Sequence, residues 1–261
     1  MKLIEKFKEI YTYRHMLYTL VKQDIRGRYK GSLLGFLWTL LNPLLLLLVY
    51  SVVFQLVFKI DIPNYPIYLF IALMPWNYFA NTISMGTSCV ANGGGILKKV
   101  YFPREVLPLA TVISNTINYF FSAIIIFIAL IFFSDIGISL FALWLPVIVF
   151  IQAVFSLGCI FILSAVNVYV RDVQYIMNPI MMVWMYATPI LYKADMVPEK
   201  YQKIYNLNPM VQIMNGYRSI LYDKTMPDLT SLFYIFVASM VFLSLAYLVF
   251  AKLQRRFAEE V

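Results

Sequence analysis

Charge is what this chain lacks over long distances. Six windows, 31–58, 62–97, 106–134, 136–170, 173–192 and 229–251, contain no Asp, Glu, Lys, Arg or His. Only 13% of its 261 residues are charged and 62% are hydrophobic, where soluble domains average about 25% and 45–50%. The shortest window holds 20 residues, about the number a helix needs to cross the hydrocarbon core of a bilayer. A soluble domain is excluded, and six membrane-spanning helices are the most economical count.

Cysteine and histidine are equally scarce. Cys89 and Cys159 both fall inside uncharged windows, where free thiols behave as small hydrophobes, so neither a disulfide framework nor a metal site is expected. His15 stands alone, with no partner for metal binding. Residues 1–30 hold eight Lys or Arg and no unbroken apolar core, so they do not read as a cleavable signal peptide. There is no G-x-x-x-x-G-K-S/T, hence no usual cradle for ATP. No ionisable side chain falls at mid-depth of a span, which leaves proton coupling and intramembrane catalysis without the groups they need. Work done by this chain must then be driven by another polypeptide.

What is present is a lopsided set of cations. With six spans, the N-terminus, 98–105, the 171–172 turn and the C-terminus share one side, and they carry fifteen of the 21 Lys and Arg. Positive charge is retained on the cytoplasmic side, so both termini are expected there. The net charge of +8 needs no nucleic acid to explain it, because anionic lipid headgroups attract cations beside span ends.

The expected fold is an all-α membrane protein. Residues 1–30 set Leu3, Ile4, Phe7, Ile10, Leu17, Val21 and Ile25 against a basic face, the pattern of a helix lying in the interface. Residues 31–261 form the six-span domain, with spans near 33–57, 67–90, 106–132, 140–168, 173–191 and 231–251. Asn92-Gly93-Gly94-Gly95 reads as a hinge that ends the second span. Ile96–Tyr101 is expected to form a short surface helix, and Pro103 to open the third span with Glu105 at its positive end. In 193–228, Met210, Val211, Met214, Tyr217, Ile220 and Leu221 recur at helical spacing. They predict an amphipathic helix that either rests on the outer membrane face or re-enters, buried in protein.

The stretch "ILKKVYFPREVLPLA" concentrates charge between two apolar runs. Lys98, Lys99, Arg104 and Glu105 would supply charge pairing to a partner, and Tyr101 and Phe102 apolar anchors. An ordinary positive-inside loop with interfacial aromatics has the same composition. Arg171 and Asp172 are either a second contact or a self-satisfied turn.

Three passages carry a family resemblance: "RYKGSLLGFLWTLLNPLL" at Arg28–Leu45, "LKKVYFPREVLPLA" at Leu97–Ala110 and "NVYVRDV" at Asn167–Val173. The chain resembles the membrane subunits of type-2 ABC exporters for O-antigen, capsule and wall teichoic acid. That resemblance implies a homodimeric permease in a bacterial inner membrane, flanked by two copies of a separate ATPase that binds the ATP and Mg. It implies that the N-terminal helix and Lys98–Arg104 contact the ATPase. The implied substrate is a glycan on a polyprenyl-diphosphate lipid, moved along a path lined by aromatic rings.

Candidates for that path are Trp38, Tyr50, Phe54, Trp184 and Tyr186, with Asn77, Asn81, Asn115, Asn118 and Gln152 as hydroxyl partners. Interfacial belts and helix–helix hydrogen bonds account for the same residue types. Arg26, Arg28 and Lys30 precede the first span and are candidates for the lipid diphosphate; headgroup attraction or ATPase contact explains them equally. Two alternatives stand: an ABC permease for a drug or small lipid, and a membrane enzyme acting on lipid-linked sugars through Asp195, Glu199, Asp223 or Asp228.

Overall fold

Long uncharged runs can satisfy their own backbone hydrogen bonds within a bilayer only as helices or closed barrels, and here they form helices. The computed structural model describes residues 3–28, 30–31, 34–53, 62–97, 101–132 and 136–257, and among these the regular structure is all helical. The order is α1 (Leu3–Thr12), α2 (Arg14–Gly27), α3 (Trp38–Val52), α4 (Tyr65–Asn92), α5 (Gly94–Leu97) and α6 (Val106–Phe132). Then come α7 (Leu145–Tyr169), α8 (Val173–Tyr186), α9 (Glu199–Tyr205), α10 (Pro209–Leu221) and α11 (Leu229–Leu253).

Among the described residues, three helical stretches, Val106–Phe132, Leu140–Tyr169 and Leu229–Leu253, are long and apolar enough to cross a membrane. The helix α8, with 14 residues, rises only about 21 Å at 1.5 Å per residue. The fifth window therefore exceeds its helix: α8 stops at Tyr186, and Thr188–Leu191 continue as a buried turn.

Helix α4 is the centre, with 18 of its 28 residues buried, packed against α6 and α7. Beside its internal proline, the Gln152 Nε2 of α7 donates to the Pro75 carbonyl at 2.8 Å, and Gln152 Oε1 accepts from the Tyr217 hydroxyl at 2.8 Å. Helix α11 buries only a narrow stripe, Leu232, Ser239, Ala246 and Phe250, a seven-residue seam that lies along α7. Gly158 permits that approach, since a Cβ there would sit 2.7 Å from Phe242 Cδ1 and 3.3 Å from Leu243 Cα.

Some local expectations are revised. The N-terminal interface helix is two helices, interrupted at Tyr13. The second span's helix does end at the glycine triplet, after Asn92, and the C-cap Gly93 has φ −76° and packs against Leu107, which a Cβ would meet at 2.8 Å. A short helix after α4 begins at Gly94, two residues before the expected Ile96, and residues 98–100 of the expected Ile96–Tyr101 helix lie outside the described residues. Helix α6 opens at Val106, with the Val106 amide bonded to the Pro103 carbonyl, so Pro103 lies before the helix.

The segment left open between a surface helix and a buried one is decided by α10. Nine of its 13 residues are buried, and it packs on α4, α7 and α11. Asn208 caps it, Oδ1 accepting from the Met210 amide at 3.0 Å.

Candidate functional site

The segment between α4 and α6 folds back on the protein instead of standing out in solvent. Phe102 is 4% exposed and joins Val106, Phe161, Val168, Phe250 and Phe257 in an apolar cluster separate from the main core. Tyr13, Met16, Leu17 and Leu20 of the N-terminal region pack against the same cluster. Tyr101, by contrast, is 81% exposed. Glu105 is buried, and its Oε1 accepts from Gln254 Nε2 at 3.2 Å; it is not a solvated acid at a helix start. Arg104 is half-buried, its guanidinium 5.6 Å from the Phe257 ring centroid. Lys98 and Lys99 lie outside the described residues. Arg171 and Asp172 are both exposed in the turn from α7 to α8, at the same end.

Helix α2 is anchored to α6 by a polar cluster that the sequence only half discloses. Asp24 and Arg28 are an i,i+4 pair at 2.7 Å. Ser114 donates to the same Asp24 carboxylate, and Arg28 donates to Asn115 Oδ1 at 3.1 Å. Asn115 Nδ2 is bonded to the Thr111 carbonyl. Arg28 is thus engaged within the protein, whereas Arg26 and Lys30 remain exposed. They line a groove of about 1030 Å³ with Tyr18 and Lys22. A second groove, about 430 Å³, runs between α2 and α6 over Leu17, Val21, Ile25, Ile113 and Ile117, with Arg14, Lys22 and Arg26 at its rim.

The aromatic candidates divide. Trp38 and Tyr186 are exposed at 41% and 51%. Trp184 is half-buried, edge-on to Phe79 with centroids 5.2 Å apart, and its indole N–H donates to Asn208 Oδ1 at 2.9 Å. Its open side borders a groove of about 440 Å³ with Pro179, Ile180, Val183 and Ala187. Phe54 and the Tyr50 side chain lie outside the described residues. Among the amides, Gln152 is fully buried and saturated as above, Asn77 and Asn118 are half-buried, and Asn81 is exposed.

At the opposite end the sequence reading passed over Arg218. This residue is 5% exposed, stacks 3.8 Å from the Tyr68 centroid, and donates to the Ile190 carbonyl at 2.9 Å. Tyr65 and Tyr68 donate to the next two carbonyls, Leu191 and Tyr192, at 3.0 and 3.1 Å. The signal was available: Arg218 follows Met214 by one helical turn, on the face that the apolar residues mark as buried. The four carboxylates weighed for catalysis, Asp195, Glu199, Asp223 and Asp228, are all exposed. Asp228 is occupied in capping α11 through the Thr230 amide and Ser231 hydroxyl.

The described residues thus form an all-helical protein with helices of membrane-crossing length, and a basic helix and a short elbow pack together at one end of the bundle. Residues 15–222 match the ABC-2 type transporter family, and the chain belongs to that family. Two relatives run nearly its whole length. The O-antigen export system permease protein RfbA of Myxococcus xanthus is 36% identical over 99% of this chain and 100% of its own. A protein of the same name from Klebsiella pneumoniae is 34% identical over 94% of each. The chain is accordingly a permease subunit, with a role in transport and not in catalysis, and family membership implies an ABC ATPase as partner.

Proposed function

We propose that this chain is the permease half of an ATP-driven exporter that moves a lipid-linked polysaccharide across the bacterial inner membrane. The observation that carries the reading is end-to-end identity with an O-antigen export permease, 36% over the full length of that protein. In this reading two copies form the conduit and two copies of the ATPase hold ATP and Mg. Six passes leave both termini in the cytoplasm, with α8 as a short pass and α10 inserted from outside. The ATPase grips Lys98, Lys99, Tyr101 and Arg104, and the Arg171-Asp172 turn. Closure of the ATPase pair pushes this end and parts the spans. Arg26 and Lys30, exposed and basic, attract the diphosphate, while Arg28 holds α2 in place. Trp38, Tyr186 and the open face of Trp184 offer rings to the apolar C–H faces of sugars.

The test uses the permease co-purified with its ATPase in liposomes. Lipid-linked glycan should stimulate hydrolysis, and Lys98→Glu with Arg104→Glu should weaken co-purification while leaving insertion intact. Glycan flux without nucleotide from vesicles holding the permease alone would end this reading.

A further inference from the structure

The elbow at Tyr101–Glu105 and the turn at Arg171-Asp172 are far apart in sequence, yet one short segment touches both neighbourhoods. It is the turn after α11, Gln254–Phe257. On the elbow side, Gln254 Nε2 donates to Glu105 Oε1 at 3.2 Å, and the Arg104 guanidinium lies 5.6 Å from the Phe257 ring. On the other side, the Tyr169 hydroxyl donates to the Leu253 carbonyl at 2.8 Å. The Tyr169 and Phe257 rings meet edge-on at 6.2 Å. Phe257 itself is 0% exposed, in a stretch whose composition, "KLQRRF", is that of a solvated basic tail.

From these contacts we infer that Gln254–Phe257 is a brace, with Phe257 as its positioning residue, which locks the coupling elbow to the α7–α8 turn. The inference rests on the docking role proposed above for those two elements. Its physical basis is the division within the elbow. Tyr101 faces solvent, where a partner can reach it, while Phe102 and Glu105 face inward onto α7 and the terminal turn. A push on the exposed side is then delivered to α6, α7 and α11 as one body. Without the brace the elbow would yield locally, and hydrolysis would proceed with little movement of the spans.

The experiment measures glycan exported per ATP hydrolysed by the full permease–ATPase complex in liposomes. Phe257→Ala should keep the ATPase bound but lower this ratio several-fold, and Phe257→Leu, which refills the cluster, should restore most of it. Should Phe257→Ala fail to fold, Tyr169→Phe with Gln254→Ala removes only the two polar ties, and should lower the ratio without lowering the melting temperature. An unchanged ratio in that double variant overturns the brace, since a merely structural contact shifts melting and not coupling. Lys98→Glu with Lys99→Glu separates the two ideas. If it leaves ATPase binding intact, the docking reading fails and the brace with it. If it abolishes binding while the brace variants keep a normal ratio, only the brace falls.

Discussion

At one end of the bundle Phe161 and Phe250 lie 4.9 Å apart, and Phe250 and Phe257 5.6 Å, with Phe102 and Val168 filling the gaps. At the other, Arg218, Tyr65, Tyr68 and Tyr222 each donate to a backbone carbonyl, of Ile190, Leu191, Tyr192 and Pro63 respectively. The first end is held by ring packing, the second by directed hydrogen bonds. The cause of the second is visible in α8. Its helix ends at Tyr186, so the following turn has carbonyls with no helical donor, and a buried carbonyl without one is costly. Tyrosine and arginine reach those carbonyls from α4 and α10. At the ring-packed end the comparable bond, from the Tyr169 hydroxyl to the Leu253 carbonyl, is exposed.

This contrast can be broken in four ways, in descending size. Phe250→Ala should cost about 3–5 kcal/mol, since the ring is fully buried and its loss leaves a cavity; Phe250→Leu should cost far less. Both are read as melting temperature of the detergent-solubilised protein. Arg218→Met should cost about 2 kcal/mol, the worth of one charge-assisted hydrogen bond. A cost near zero would mean that the Ile190 carbonyl finds water and that this end is looser than drawn. Tyr65→Phe, which removes only the hydroxyl donor to Leu191, should cost about 1 kcal/mol. The equivalent loss of one polar atom at the ring-packed end, Tyr169→Phe, should be within about 0.5 kcal/mol because the site is exposed.

The smallest effect concerns acid. Asp228 caps α11 and sits fully in solvent, and the bonds from Ser231 and Thr230 hold its carboxyl below the usual carboxylate range. A lowered folded value means that the native state binds the proton less readily than the unfolded chain. Its contribution is therefore complete above the unfolded value of about 3.9 and is lost as pH falls through the folded one. Melting of Asp228→Asn should show a shallower acid slope than the parent below about pH 4, and identical slopes would remove Asp228 from the capping account.

Much of the bundle was legible in the residue pattern, for a reason that differs by element. The helices α4, α6 and α7, and α11 up to Ala251, lie inside uncharged windows because a charge at mid-depth is too costly to keep. Helix ends were less legible: α8 stops well before its window does, since where a helix turns depends on what covers the exposed carbonyls. The Asp24–Arg28 pair could be read from its spacing, but Ser114 and Asn115 could not be assigned to it, being brought there by the packing of α2 on α6. Phe257 was hidden in the same way: it sits in a stretch whose composition describes a surface, and it is buried because other elements lie over it. Arg218 shares the apolar face of α10, but its partners, the Tyr68 ring and the Ile190 carbonyl, come from other elements.

The sequence alone thus determined that the chain is helical, apolar and at home in a bilayer. These follow from the cost of desolvating charge and backbone, which every residue meets whatever its neighbours. Only the tertiary structure decided that α10 is enclosed, that Arg218 stitches a turn, and that Gln254–Phe257 bridges two distant segments. Periodicity marks which face of a helix is apolar, but what covers that face is set by helices remote in the chain.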